Sequence, residues 1–295
     1  MRKLAKAGLL SGALVAALWL GSCSGVNVLN TITPSGSYSL GKDIAYGALE
    51  RQKLDIYTPN QAKENKSKIG APVLVFIHGG SWKDGNKDMY KFVGQSFASA
   101  GYRVAIPNYR LYPDVVYPEF VNDTSAAIAF IAKRYPDTSV IVIGHSAGAY
   151  NAVMATVDPK YLKANGVDLC KRIAGTVGLA GPYGAFPMTD EPYITIFPNR
   201  QKGDDAPAQI KLGPTPPMFL PIGDKDTTVS DKHSRTLTDK ITARGGKAEF
   251  KLYPGLNHTD MVKVLSKYFD EDATLKADIL AFIETNSVVK DNYCR

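Results

Sequence analysis

Four histidines, three cysteines and two tryptophans in 295 residues leave little material for several kinds of chemistry. No Cys/His spacing matches a metal site, so no metal is expected. Three cysteines are too few to staple a disulfide-built fold, and a core must come from apolar side chains instead. Hydrophobic residues make up 44% of the chain, enough at this length for one large domain. There is no internal repeat, and no apolar run is long enough to span a bilayer comfortably. The longest, Ala7–Leu20, is interrupted by Ser11. The charge excess is small: +7 for the whole chain and +4 once Met1–Ser22 is set aside. Its basic residues are scattered, which does not fit a nucleic-acid partner.

The first residues speak about compartment. Arg2, Lys3 and Lys6 precede the apolar run, and small residues follow it, the order of a secretory signal. Leu20-Gly21-Ser22-Cys23 resembles the bacterial lipobox, whose cysteine is lipidated and becomes the first mature residue. That resemblance implies loss of residues 1–22 and a membrane anchor on Cys23. Ser24, in place of the aspartate of inner-membrane retention, points to the outer membrane if the source is Gram-negative. Cleavage near Ser22 with an unmodified Cys23 is the alternative. The polar stretch Asn27–Gly36 reads as part of a flexible tether, residues 23–37, ahead of a domain over 38–295. In an oxidising compartment Cys170 and Cys294 form an even pair: either a disulfide holds the C-terminal tail, or both remain thiols.

Periodicity predicts antiparallel strands over Tyr38–Tyr46 and Leu49–Tyr57, then a charged loop Asn60–Gly70. Short apolar strands and helical stretches alternate afterwards. They run Val73–Ile77, Lys87–Ala100, Val104–Pro107, Glu119–Arg134, Val140–Ile143 and Ala149–Thr156. The order continues with Ile173–Leu179, Met218–Ile222, Asp231–Arg244, Ala248–Tyr253 and a helix around Asp270–Glu284. Such alternation means a mostly parallel sheet with helices on both faces. Right-handed crossovers then bring the loops after the strands to one edge.

The motifs fall on that edge. Gly144-His145-Ser146-Ala147-Gly148 follows one strand and opens one helix, the strand–turn–helix context of a nucleophile elbow in the α/β-hydrolase fold. It would project Ser146 Oγ above the sheet, with the Ala147 N–H beside it. His78-Gly79-Gly80-Ser81-Trp82 follows another strand, so Gly79 and Gly80 are expected to join Ala147 as the oxyanion hole, with His78 bracing the loop. Alone, the same segment would be a glycine turn between strand and helix. Asp224 and Asp226 follow the strand Met218–Ile222, and His258 follows Ala248–Tyr253. In chain order Ser146, a carboxylate and His258 match the triad of this fold. Asp231 suits an N-cap. His145 lies within the elbow, pointing away from the serine, and His233 suits a helix surface.

Taken together, His78–Trp82, Pro107–Leu111, Gly144–Gly148, Gly223–Val229 and Asn257-His258 resemble the esterase/lipase α/β-hydrolases of the feruloyl esterase-like and hormone-sensitive-lipase-like groups. They are also similar to arylformamidases and prenylcysteine methylesterases. The resemblance covers roughly Leu49 to Glu284. It implies a serine hydrolase acting on a small-molecule carboxylic ester, or on an amide or formamide, with no metal or organic cofactor. Its Gly-x-x-Asp-x-x-Val pattern matches Gly223–Val229 and favours Asp226 over Asp224 as the acid. Ser81 stands where the hormone-sensitive-lipase pattern has a third glycine.

Arg110, at a strand end, is expected to pair with Asp123 or Glu119 and fix a loop. Residues 183–217 form a long connection with little periodicity, expected as a lid-like segment. Trp82, Tyr183, Phe186, Tyr193 and Phe197 would either wall a substrate pocket or only bury one another. A catalytically silent fold kept as a binding protein is the competing class, although such a copy would usually lack part of the triad or of the glycine loop.

Overall fold

A computed structural model describes residues 26, 28–60, 70–184, 191–198, 206–207, 211–272, 274–289 and 293, with the side chains of 270–272 excepted. Eight strands form one sheet: β1 (Tyr38–Ala45), β2 (Lys53–Pro59), β3 (Val73–Ile77), β4 (Val104–Pro107), β5 (Val140–His145), β6 (Ile173–Leu179), β7 (Met218–Gly223) and β8 (Ala248–Tyr253). Their spatial order is β1-β2-β4-β3-β5-β6-β7-β8. β1 pairs antiparallel with β2, and β2 with β4, while every later pair is parallel.

The central strands are buried along their whole length, which is why β3 and β5 read as unbroken apolar runs. Their side chains alternate between two cores. Val73, Val75, Ile77, Val140 and Val142 face the helices Glu119–Arg134, Ala147–Val157 and Lys232–Thr242. Leu74, Phe76, Ile141 and Ile143 face Lys91–Ser99 and Thr274–Thr285. The edge strands β1 and β8 are largely solvated. This layering is the mostly parallel sheet with helices on both faces expected from the periodicity.

Three local expectations are revised. β2 begins at Lys53 rather than Leu49, because Gln52 N donates to Leu49 O and Lys53 N to Arg51 O, closing a turn first. The stretch from Lys87 starts as a 3-10 turn, Lys87–Tyr90, capped by Asn86, before the α-helix Lys91–Ser99. The supposed tether is not free: residues 28–32 are helical, and Val26 and Leu29 are buried in the core. Lys91 Nζ donates to Thr33 O at 2.7 Å and Tyr268 Oη to Ile32 O at 2.6 Å. Two apolar side chains among polar neighbours carry no periodicity, so only the docked fold reveals them.

Cys170 is disulfide-bonded. Cys23 and Cys294 lie outside the described residues, but Tyr293 Oη donates to Leu169 O and Ile173 O, directly beside Cys170. Most of the charged loop Asn60–Gly70 also lies outside them.

Candidate active site

β5 ends in the tight turn the sequence called for. Ser146 has φ 55° and ψ −124°, a conformation that costs of order 1–3 kcal/mol and persists only where the surroundings impose it. Here they do. A Cβ on Gly144 would lie 2.3 Å from Gly148 O, and one on Gly148 would lie 2.2 Å from Ile77 O. Only glycine lets these backbones approach. Ser146 is thereby placed at the N-terminus of Ala147–Val157, and the Ala147 N–H falls in the first turn, where no intrahelical acceptor exists.

Ser146 Oγ lies 2.9 Å from His258 Nε2, and His258 Nδ1 donates to Asp226 Oδ2 at 2.8 Å. The Asp226 side chain is 1% exposed, and its other oxygen accepts Thr228 N–H at 2.8 Å and Val229 N–H at 2.9 Å. Burial alone would raise its pKa. The hydrogen bond and charge of His258, with the two backbone donors, outweigh that and leave it below the usual carboxylate value. Asp224 does not reach this chain of contacts: its Oδ1 accepts Gly255 N–H at 2.7 Å and so ties the loop after β7 to the loop after β8. Asn257 and Asp260 stabilise the latter further, since Asn257 Oδ1 accepts Asp260 N–H and Asp260 Oδ2 accepts Asn257 N–H, both at 3.1 Å.

The glycine loop after β3 lies against the elbow. A Cβ on Gly79 would come within 3.2 Å of Ser146 Cβ, and Gly80, at φ 128°, would clash with Asp84 O. Lys83 N and Asp84 N both donate to Gly80 O. His78 is fully buried and stacks on Tyr109 at 4.3 Å, and its Nδ1 donates to Gly79 O at 2.7 Å. Burial pushes its pKa down to about 3, so it is a neutral brace. Tyr109 Oη donates to His78 O, while Arg51 Nε donates to Tyr109 O and its Nη2 to Gly85 O. Neither Arg51 nor Tyr109 stands out as a loop brace in the sequence, because their partners are 34 or 58 residues away for Arg51 and 31 for Tyr109.

The aromatic residues bury one another. Trp82, Tyr183 and Phe197 are 3% exposed or less. Trp82 meets Phe197 edge-on at 4.8 Å and Tyr150 at 5.2 Å, and its Nε1 donates to Asn151 Oδ1 at 2.9 Å. Tyr183 instead covers Gly178 and Gly181, where added Cβ atoms would strike its ring and hydroxyl. None of the three presents an open wall, so the expectation of a substrate-facing surface is corrected to one of core packing around the site. Phe186 lies outside the described residues. Of residues 183–217, the described parts are tied to the body: Tyr117 N donates to Ile196 O and Gly213 N to Val157 O.

Other side chains fall into place. Arg110 pairs with both Asp123, at 2.8 Å, and Glu119, at 3.0 Å. Asp231 occupies the N-cap position but caps nothing, since its carboxylate pairs with Arg235 at 2.7 Å. His233 is half-buried rather than a surface residue, and its Nδ1 accepts Gly184 N–H at 2.9 Å. His145 has a partner that the sequence did not foresee: its Nε2 donates to His258 O at 2.9 Å.

The chain is similar to several known proteins. The family described as BD-FAE matches residues 54–180, which span the glycine loop and the elbow. An isoprenylcysteine alpha-carbonyl methylesterase of Arabidopsis thaliana is 29% identical over 251 residues, covering 76% of this chain and 58% of that protein. Esterase B from Lactobacillus rhamnosis superposes with a TM-score of 0.74 at 19% identity, over 93% of this chain and 96% of the other. The chain has the α/β-hydrolase fold and is similar in sequence and fold to esterases and lipases. This α/β-hydrolase spans less than two thirds of the plant methylesterase. A kynurenine formamidase of Danio rerio is 23% identical and matches more evenly, over 82% of this chain and 81% of its own. A hormone-sensitive lipase from a metagenome library has a TM-score of 0.69 at 20% identity, covering 89% of this chain and 91% of that one. At such identities the two solved structures speak for the fold.

Proposed function

We propose that the protein is a carboxylesterase-type serine hydrolase that works through an acyl-enzyme on Ser146. The carrying observation is the continuous hydrogen-bonded chain from Ser146 Oγ through His258 to Asp226. His258 Nε2 takes the hydroxyl proton as Ser146 Oγ attacks the ester carbonyl, and Asp226 stabilises the imidazolium and keeps Nδ1 as the protonated nitrogen. The N–H groups of Gly79, Gly80 and Ala147 receive the oxyanion. Collapse expels the alcohol with the His258 proton. Water, deprotonated by the same nitrogen, then releases the carboxylic acid and restores Ser146.

A small-molecule ester is the proposed substrate. A formamide is the second reading, favoured by the evenly matched formamidase relative, while Ser81 in place of a third glycine fits the formamidase-like and the feruloyl esterase-like branches alike. The complete triad and glycine loop weigh against a silent binding protein. Assay of the purified protein on p-nitrophenyl esters from acetate to laurate, beside N-formylkynurenine, separates the readings. Serine-dependent ester turnover supports the first, and turnover of the formamide alone moves the assignment to the second.

We further propose export and lipid anchoring through Cys23, to the outer membrane if the cell is Gram-negative. Because residues 28–36 are docked, the anchor would hold the domain close to the bilayer rather than on a long leash. Labelled palmitate is expected in the wild type and absent from Cys23→Ala. Equal labelling of both would count against the anchor.

A further inference from the structure

His145 takes no part in the proton path, yet it meets three parts of the site. It immediately precedes Ser146 on β5, and its Nε2 lies 2.9 Å from the backbone oxygen of His258. Its Nδ1 and its carbonyl oxygen would lie 3.2 and 3.1 Å from a Cβ on Gly79, so it also backs the glycine loop. The residue is 5% exposed, and its ring centroid is 5.0 Å from that of His258.

We propose that His145 is a positioning residue whose Nε2–H fixes the His258 backbone, and with it the reach of His258 to Ser146, without placing a charge beside the imidazolium. The inference rests on the triad reading above.

The need for such a residue follows from topology. The nucleophile stands on β5, in the middle of the sheet, whereas His258 follows β8, the solvated edge strand paired on one side only. Asp224, Asn257 and Asp260 organise the His258 loop at the edge, but none of their bonds reaches the centre of the sheet. The bond from His145 does. Misplacing a general base by about 1 Å costs on the order of 100-fold in rate.

Histidine suits the task through its chemistry. A carbonyl only accepts, so Nε2 carries the proton and Nδ1 is bare. Nδ1 has no hydrogen-bond partner among the described residues, and burial together with the neighbouring His258 pushes the pKa down to about 3. The charged or titratable groups acting on it are His258 and Asp226. A neutral donor leaves His258 free to become positive during proton transfer, whereas a lysine or arginine there would oppose it.

The test compares wild type, His145→Phe and His145→Gln on p-nitrophenyl butyrate, with Tm measured for each. Phenylalanine keeps the bulk and loses the donor; glutamine keeps a neutral donor. The expected result is a fall in kcat of about 100-fold for the phenylalanine variant with KM little changed. Glutamine is expected to recover kcat to within about tenfold of wild type. Phenylalanine matching wild type, or outperforming glutamine, would mean that only packing matters and would overturn the inference. If the phenylalanine variant does not fold, nitrogen-15 histidine spectra of the wild type decide. A persistent Nε2–H tautomer for His145 from about pH 5 to 8 supports the role, and an Nδ1–H tautomer or titration in that range overturns it. Activity that survives Ser146→Ala would sink the triad reading itself, whereas serine-dependent activity indifferent to His145→Phe sinks only this inference.

Discussion

Ser146→Ala is expected to lower kcat by at least about three decades while leaving the fold intact. In the proposed mechanism the hydroxyl supplies both the attacking oxygen and the proton passed to His258 Nε2, which lies 2.9 Å away. Without it no acyl-enzyme can form, and only the oxyanion donors remain to assist water. The folded protein loses little, because alanine meets the same backbone restriction at φ 55° as serine and no core contact depends on Oγ. Tm is therefore expected to stay within a few degrees of wild type, about 1 kcal/mol or less. A fluorophosphonate probe should label wild type and not the variant. Near-normal ester turnover by the variant would remove Ser146 from the mechanism.

Asp226→Asn is expected to cost about three to four decades in kcat, and Asp224→Asn no more than about tenfold. The difference comes from what each carboxylate holds. Asp226 accepts a hydrogen bond from His258 Nδ1–H in a buried position, with its second oxygen engaged by Thr228 and Val229 N–H groups. Those backbone donors keep the oxygen of an asparagine on their side, which turns the amide NH2 toward Nδ1. His258 would then carry its proton on Nε2 and could not accept one from Ser146. Asp224 is exposed and accepts a loop N–H, a task that an asparagine oxygen also performs. Steady-state kinetics on one ester for both variants ranks them. If Asp224→Asn proves the more damaging, the acid has to be reassigned.

Much of the architecture was legible because its causes are local. Val73–Ile77 and Val140–Ile143 are uniformly apolar because both faces of a parallel sheet are covered, and the structure places β3 and the core of β5 over those residues. Glu119–Arg134 shows a helical stripe and is a helix over that span. The elbow could be read because sterics demand glycine at both ends of the turn. By contrast, the packed segment at residues 28–36 and the partners of Trp82 depend on distant surfaces, and the local pattern is silent about them.

Within the site the same division holds. The residue types and their order along the chain nominated Ser146, the two candidate carboxylates and His258, since each follows a strand that must end on one edge of the sheet. Tertiary structure decided which carboxylate faces the imidazole, for Asp224 and Asp226 are two residues apart and differ only in where their loop turns them. It also decided that the aromatic residues pack inward and that His145 grips a backbone 113 residues away. Periodicity and turn sterics act over a few residues and are written in the sequence. Contacts across a hundred residues are made by how the strands are ordered in the sheet, which no local pattern carries.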